Sequence, residues 1–428
     1  MTTVELPYGR ETLRVRLPPD CDATVIHKPP MPVIADPATA VAAALDDPVG
    51  APRLEDLARG CRTACVVVCD FTRPVPNRLL LRPVIDRLLT AGVPISGITV
   101  LVATGLHRPN EGDELADVIG DPWVLERVDV VNHRARIDED HVELGRTKRG
   151  TPVRIDRRLA EADLRIVTGL VEPHFMAGWS GGRKVIAPGV AHAETITTLH
   201  NHGFMAHPST TNCVLDGNPL HEELIEISRL LDDVVAVNTV IDHERRLSFV
   251  NFGDLYGSHD EAVGFARRHA EVHLPRRFHT VVTSAGGHPL DATYYQTVKA
   301  IVAPIDIVTD QGDLIVASSC SEGIGSPEFA RSQSRLGKLG ISGFLDDLAG
   351  RDRADIDEWQ SQMQTRAQSR VRVGLYSAGL TADDRALTAV NHIDRVERAV
   401  ADSIERHGDH AVAVIPEGPY VIPSVAEA

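Results

Sequence analysis

The segment TACVVVCDFTRPVPNRLLLRPVIDRLLTAG (residues 63–92) decides the fold class. A short apolar run with three consecutive valines ends abruptly at Asp70. A polar, proline-bearing loop follows, and then a helical stretch in which leucines and isoleucine recur at three- and four-residue spacing, with Gly92 as its stop. The same pattern of strand, polar or glycine-bearing loop and helix returns twice. SGITVLVA leads through TGLHRPN to EGDELADVIG, and ADLRIVTGL leads through VEPHFMAGWSGGRKVIAPG to AHAETITTLHN. Alternation of this kind predicts an α/β protein with mainly parallel sheets.

A chain of 428 residues exceeds the usual limit for one hydrophobic core, so two α/β domains are expected. ETLRVRLPP reads as a strand and DPVGAPRLEDLA as a connecting helix or loop. DDVVAVNTVIDHERRLSFVNFGD reads as a β-hairpin turning near Asp242–Arg245. EAVGFARRHAEVHL reads as a helix joining the halves. A second α/β unit begins at FHTVVTSAGGHP, with Asp291 as N-cap of ATYYQTVKAIVAP. Later strands are expected at DLIVASS and RVGLYSA, and helices around 333–348, 355–369 and 390–406. The boundary falls near residue 272, giving domains of 1–272 and 273–428 with an active-site cleft between them.

Hydrophobic residues make up 43% of the chain and charged residues 24%, as in ordinary globular proteins. The net charge of −16 argues against nucleic acid or an anionic membrane as the main partner. The N-terminus, MTTVELPYGRETLRVRL, lacks the apolar core of a signal peptide, and no later run approaches membrane-spanning length, so a cytoplasmic location is expected. Six cysteines are too few and too irregular for a disulfide framework. Cys61, Cys65 and Cys69 have the spacing of a cluster site. On a strand, however, residues four apart lie roughly 13 Å from each other, too far to share one, and structural thiols are expected.

In open α/β sheets, ligands bind beyond the carboxyl ends of the strands. Three successive strands here end in polar sets: Asp70, Thr72 and Arg73; Thr104, His107 and Arg108; His174, Arg183 and Lys184. A fourth set, Tyr294, Tyr295, Gln296 and Lys299, opens a helix of the second domain, where Tyr295 and Lys299 are one turn apart. The glycines before Lys184 invite a phosphate-loop reading, but GWSGGRKV places Arg183 where the second fixed glycine belongs and Val185 where the magnesium-binding hydroxyl belongs. A phosphate-loop hydrolase is therefore disfavoured. GIGSPE at 323–328 is only a fragment of a dinucleotide fingerprint.

Four motifs in order, DFTRPVPN, ATGLHRP, EPHFMAGWSGGRKVIAPG with TLHN, and GGHPLDATYYQTVKA, resemble the successive signatures of the nickel-dependent lactate racemase family. They span residues 70–299, with weaker agreement at YGRETLRV and DGNPLHEEL. The resemblance implies a racemase or epimerase that inverts C2 of a 2-hydroxy acid. The implied cofactor is a nickel-pincer nucleotide (pyridinium-3,5-bisthiocarboxylic acid mononucleotide nickel), covalently attached to Lys184 and supplied by cofactor-biosynthesis enzymes. It further implies that His200 ligates nickel, that His107 and His174 are the paired acid–base residues, and that Asp70, Thr72, Gly181, Gly182 and Tyr295 contact the cofactor. Arg73, Gln296 and Lys299 are implied to bind substrate. Trp359 is a candidate aromatic wall.

The chemistry asks for such a set. Deprotonating carbon beside a carboxylate is strongly opposed by the existing negative charge. Hydride removal avoids that anion, and no protein side chain accepts a hydride, so a cofactor must. A base near either hydroxyl position must take the accompanying proton, a task suited to two histidines, while cations anchor the carboxylate.

Taken singly, each residue has a plainer reading. His107 and His174 could be polar loop residues, Arg183 and Lys184 a solvated basic pair, and the two tyrosines core residues of an amphipathic helix. Spacing does not choose among His200, His202 and His207; the resemblance selects His200. Two departures from the family pattern, Phe71 and Trp179, make the loops more apolar or bulkier and bear on whether lactate itself is the substrate. The alternative function is a non-catalytic protein that binds or carries the nucleotide cofactor.

Overall fold

The computed structural model describes residues 2–425. The chain forms two compact units. One comprises residues 30–199 and 214–268; the other comprises the described residues of 2–29, 200–213 and 269–425. The chain passes between the units at 29/30, 199/200, 213/214 and 268/269. The first 29 residues and the segment 200–213, however, fold with the C-terminal residues.

The first unit is built on a six-stranded sheet in the order Leu247–Asp254, Val234–Ile241, Leu164–Leu170, Ala64–Cys69, Ile98–Ala103, Asp129–Asn132. The pairings of Ala64–Cys69 with both neighbours are parallel, and only the Leu247–Asp254 edge strand is antiparallel. Ala64–Cys69 is central and its valines have no exposure, which explains the unbroken apolar run. The following helix, Asn77–Thr90, buries Leu80, Leu81, Val84, Ile85 and Leu88 against the sheet core. It ends where expected: Gly92 takes the left-handed conformation at φ +99°. The hairpin turns at Asp242, whose amide donates to the Arg246 carbonyl, with Arg245 at φ +62°.

The second unit holds an all-parallel six-stranded sheet in the order Asn391–His392, Arg372–Tyr376, Val308–Ala317, Phe278–Ser284, Ala411–Ile415, Asp22–Val25. The N-terminal residues thus supply an edge strand to this sheet, and Val4, Leu6, Val15 and Leu17 join its core.

Three local expectations change. The helix expected over 261–274 is Gly257–Arg267; Glu271–Leu274 is instead a strand paired in parallel with Ile422–Val425. The edge of a second chain segment suits the alternation in EVHL better than helix continuation would. Asp291 is not a helix cap. Thr293 caps Tyr294–Val302, and the buried Asp291 carboxylate accepts from the backbone amides of Gly9 (2.6 Å) and Ser319 (3.1 Å), tying three distant segments. The helix expected from 390 begins at Val396, because Asn391–His392 pairs with the sheet. The helices expected around 333–348 and 355–369 are Pro327–Ala349, broken at Gly340, and Glu358–Gln368. No helix among the described residues is long and apolar enough to cross a membrane.

Candidate active site

Adjacent parallel strands Leu164–Leu170, Ala64–Cys69 and Ile98–Ala103 end on one edge of the first unit's sheet, so their following loops gather there. The first loop turns back on itself at Asp70. Its Oδ1 accepts from the Thr72 hydroxyl (2.6 Å) and amide (3.2 Å), and its Oδ2 lies 2.6 Å from His107 Nδ1 on the neighbouring loop. Asp70 is buried whereas the His107 ring is half exposed. A carboxylate can only accept, so Nδ1 of His107 carries the proton and Nε2 presents its lone pair outward. Thr72, Asp70 and His107 therefore form one chain of hydrogen bonds ending in a base.

The third loop begins with a tight hairpin, Pro173–His174 against Gly178–Trp179, then a short helix, Arg183–Ile186. His174 Nδ1 accepts from the amides of Met176 (3.2 Å) and Ala177 (3.1 Å), and its Nε2 lies 2.8 Å from Lys184 Nζ. Phe175 stacks on the same imidazole at 5.3 Å. Arg73 pairs with Glu172 at 3.4 Å, both side chains about a quarter exposed. Glu172, inside the quoted motif, is a neighbour of the candidate site that sequence spacing did not single out; its only signal was a carboxylate two residues before a candidate histidine.

The glycines before Lys184 have a structural cause. Gly181 and Gly182 adopt φ of +74° and +48°, and a Cβ on them would meet Val171 Cγ2 at 2.9 Å and His259 Cδ2 at 2.8 Å. Their freedom lets the loop pack against the strand end and against His259.

Arg183 is not half of a solvated basic pair. It is 1% exposed, donates to the carbonyls of Ala177 and Trp179, and lies 3.0 Å from His259 Nε2. Burial pulls its guanidinium down to about 9. Trp179 is likewise fully buried, with the Arg267 guanidinium 5.6 Å from its ring, so its bulk fills the interior of this unit. Thr104 is buried and donates to the His133 carbonyl; Arg108 is forked onto Glu114 at 2.6 and 2.7 Å. A cavity of about 760 Å³ in the same unit is lined by Arg183, His221, Asp260 and His259 but by none of His107, His174 and Lys184.

In the second unit, Tyr295, Gln296 and Lys299 lie on the helix Tyr294–Val302 as expected. Tyr295 meets Phe329 edge-on at 5.1 Å, and its carbonyl accepts from Gln360 at 2.7 Å. Gln296 Oε1 is buried and accepts no hydrogen bond from the described residues, leaving it open to a ligand donor. His200 is buried with its ring 4.5 Å from that of Trp359. Of the other two histidines, His202 Nδ1 lies 3.0 Å from the Gln362 side-chain amide, and His207 Nδ1 accepts from the Ser209 backbone amide (3.3 Å).

Cys65 and Cys69 lie on the central strand, and the six cysteines are thiols rather than disulfides. Burial pushes the Cys69 thiol up to about 12, as an inert structural residue requires.

Residues 8–212 match the lactate racemase N-terminal domain and residues 275–423 the lactate racemase C-terminal domain. The chain is 30% identical over 429 residues to the lactate racemase of Thermoanaerobacterium thermosaccharolyticum, covering 99% of each. It is 28% identical over 432 residues to that of Lactiplantibacillus plantarum, covering 99% of this chain and 100% of the relative. The solved structure of the T. thermosaccharolyticum lactate racemase apoprotein superposes with a TM-score of 0.91 at 28% identity over the whole of both chains. A Thermotoga maritima protein shares the fold at a TM-score of 0.66 and 16% identity, covering 89% of this chain and 99% of its own. With both domain descriptions matched over most of the chain and a 30% identical relative covering 99% of it, the chain belongs to the lactate racemase family.

Proposed function

We propose that this protein is an isomerase that inverts C2 of a small 2-hydroxy acid, lactate or a larger relative, with Lys184 as the attachment point of a nickel-pincer nucleotide. The observation that carries the proposal is the pair of contacts His107–Asp70 and His174–Lys184 on neighbouring loops of one sheet edge. The residues present fit the cofactor. Lys184 offers an amine, His200 a buried imidazole suited to nickel, and Gln296 an amide oxygen with a bond to make. When bound, the group supplies the hydride acceptor that side chains lack.

The chain's own residues supply the rest. Asp70 fixes the His107 tautomer so that Nε2 can take a hydroxyl proton. His174 is the second acid–base residue, serving the opposite hand of substrate. Arg73 binds the carboxylate through charge-assisted hydrogen bonds, with Glu172 holding the guanidinium in place, and Gln296 and Lys299 bind substrate oxygens. Asp70, Thr72, Gly181, Gly182 and Tyr295 shape the cofactor's surroundings.

The test is co-expression with the cofactor-making enzymes. Nickel and a covalent mass increase on the peptide containing Lys184 are expected, absent from Lys184→Ala, together with interconversion of single enantiomers followed by chiral chromatography. Loaded protein that leaves C2 of every 2-hydroxy acid unchanged overturns the enzymatic reading in favour of a carrier.

A further inference from the structure

Both nitrogens of His174 are committed, and their partners dictate where one proton sits. Nδ1 accepts from two backbone amides, Met176 and Ala177. A nitrogen that accepts cannot also carry hydrogen, so the neutral ring has its proton on Nε2. Nε2 can then only donate, and what lies 2.8 Å away is Lys184 Nζ. An ammonium is also donor-only. Two donors facing each other at that distance satisfy neither; an amine with its lone pair turned to the imidazole satisfies both.

We infer that His174, locked by the Met176 and Ala177 amides, holds Lys184 as a neutral amine before any cofactor arrives, and so primes it as the tethering nucleophile. This rests on the proposed function only in assigning the tether to Lys184. The buried Arg183 guanidinium next to it works in the same direction, since a second cation on one four-residue helix is disfavoured. The other charged groups on these loops include Arg73 and Glu172, which pair with each other at 3.4 Å, and Asp70, which accepts from the His107 ring.

In tethering, the Lys184 nitrogen bonds to a thiocarboxylic carbon as that carbon's C–O bond breaks. The oxygen leaves as water with one amine proton, and nothing is oxidised or reduced. An acylated nitrogen no longer offers a lone pair, so the Nε2–H of His174 loses its acceptor once the tether forms. Proton transfer at His174 during turnover then requires Nδ1 to release the two amides, because the locked neutral ring has no nitrogen left to take a proton.

The experiment uses the full chain made without the cofactor-making enzymes and a limiting amount of acetic anhydride at pH 7, with each lysine's acetylation followed by peptide mass. The chain has only five lysines, at 28, 148, 184, 299 and 338, and Lys148 and Lys338 are exposed references. Lys184 is only partly exposed, yet as a neutral amine it should react at least about tenfold faster than either, because an ordinary lysine is almost wholly ammonium at this pH. His174→Phe should abolish that advantage, and His174→Asn, which retains a donor, should restore part of it. Long-range nitrogen–proton correlation of the imidazoles should report His174 as the Nε2–H tautomer. Slower acetylation of Lys184 than of Lys148 in the wild-type protein, or an Nδ1–H tautomer, overturns the inference even if the variants do not fold. Neither result depends on racemisation, so it fails or stands separately from the proposed function.

Discussion

His107 Nδ1 lies 2.6 Å from Asp70 Oδ2, and Asp70 is buried while the histidine ring is half exposed. A buried carboxylate behind a solvent-facing imidazole sets both tautomer and direction, as in the histidine–aspartate pair of serine hydrolases. Replacing Asp70 with Asn lets the amide donate to Nδ1 and favours the wrong tautomer. Asp70→Asn should lower kcat by roughly 10²- to 10⁴-fold, with the mass increase on Lys184 retained. Thr72→Ala, which removes one bond to the carboxylate, should cost about tenfold, the value of one hydrogen bond to a charged group. Steady-state rates on loaded protein check both, and an unaltered kcat in Asp70→Asn excludes His107 as the base.

His259 gives the glycine loop before Lys184 an acid sensitivity. Fully buried, it donates from Nε2 to the Ser180 carbonyl at 2.8 Å and lies against Arg183. Burial first, and the Arg183 charge second, pull its imidazole down to about 3. The folded value lies below the unfolded one near 6.5, so unfolding takes up a proton at acid pH. Stability is therefore complete above about pH 6.5 and falls as the pH drops toward 3. The slope from this one group approaches roughly 1.4 kcal/mol per pH unit. His259→Gln can keep both polar contacts without titrating. Urea unfolding at pH 7, 6 and 5 should show a shallower pH dependence in the variant than in the wild type; identical slopes would remove His259 from the account.

Gly182 should tolerate no side chain. At φ +48°, alanine there incurs the left-handed penalty and drives its Cβ to 2.8 Å from His259. The two effects together should cost roughly 2–4 kcal/mol. Gly150 is the control: also left-handed, at φ +88°, but with nothing within 4 Å of an added methyl group, so Gly150→Ala should cost only about 1–2 kcal/mol. Denaturant midpoints of the two variants give the comparison, and equal losses would mean that the contact with His259 carries no weight.

The parallel sheet of the first unit was legible because its central strands are buried on both faces, which leaves an unmistakable run such as ACVVVC. The loops after them were legible because charged residues directly after such runs have little structural reason to be there. Partnerships across long separations were not. Asp291 looks like a helix cap because it precedes a helix, and only folding reveals that it binds amides 28 and 282 residues away. His259 lies far beyond Gly182 in the chain, and no spacing rule connects a helix histidine to a glycine loop 77 positions earlier. Arg183 reads as solvated from its sequence neighbours, since the carbonyls of Ala177 and Trp179 that receive it are backbone atoms with no residue signature.

Phe71 is the departure from which a change in substrate choice is predicted. It follows Asp70 directly, remains 44% exposed, and has the Arg108 guanidinium 4.7 Å from its ring. Glu114 forks that guanidinium in place, so one side of the ring is held and the remaining surface is open to apolar contact. Trp179, by contrast, is buried in the interior and has no such surface to offer. An exposed aromatic contributes little to folding, so Phe71→His should leave stability within about 0.5 kcal/mol. Loss of its apolar surface should penalise 2-hydroxy acids with large side chains against lactate by about 1–3 kcal/mol, or 10- to 200-fold in the ratio of kcat/KM. The ratio measured on loaded wild-type and Phe71→His proteins decides it: if the preference between lactate and an aromatic or branched acid is the same in both, the ring lies beyond the substrate's reach and specificity is set elsewhere.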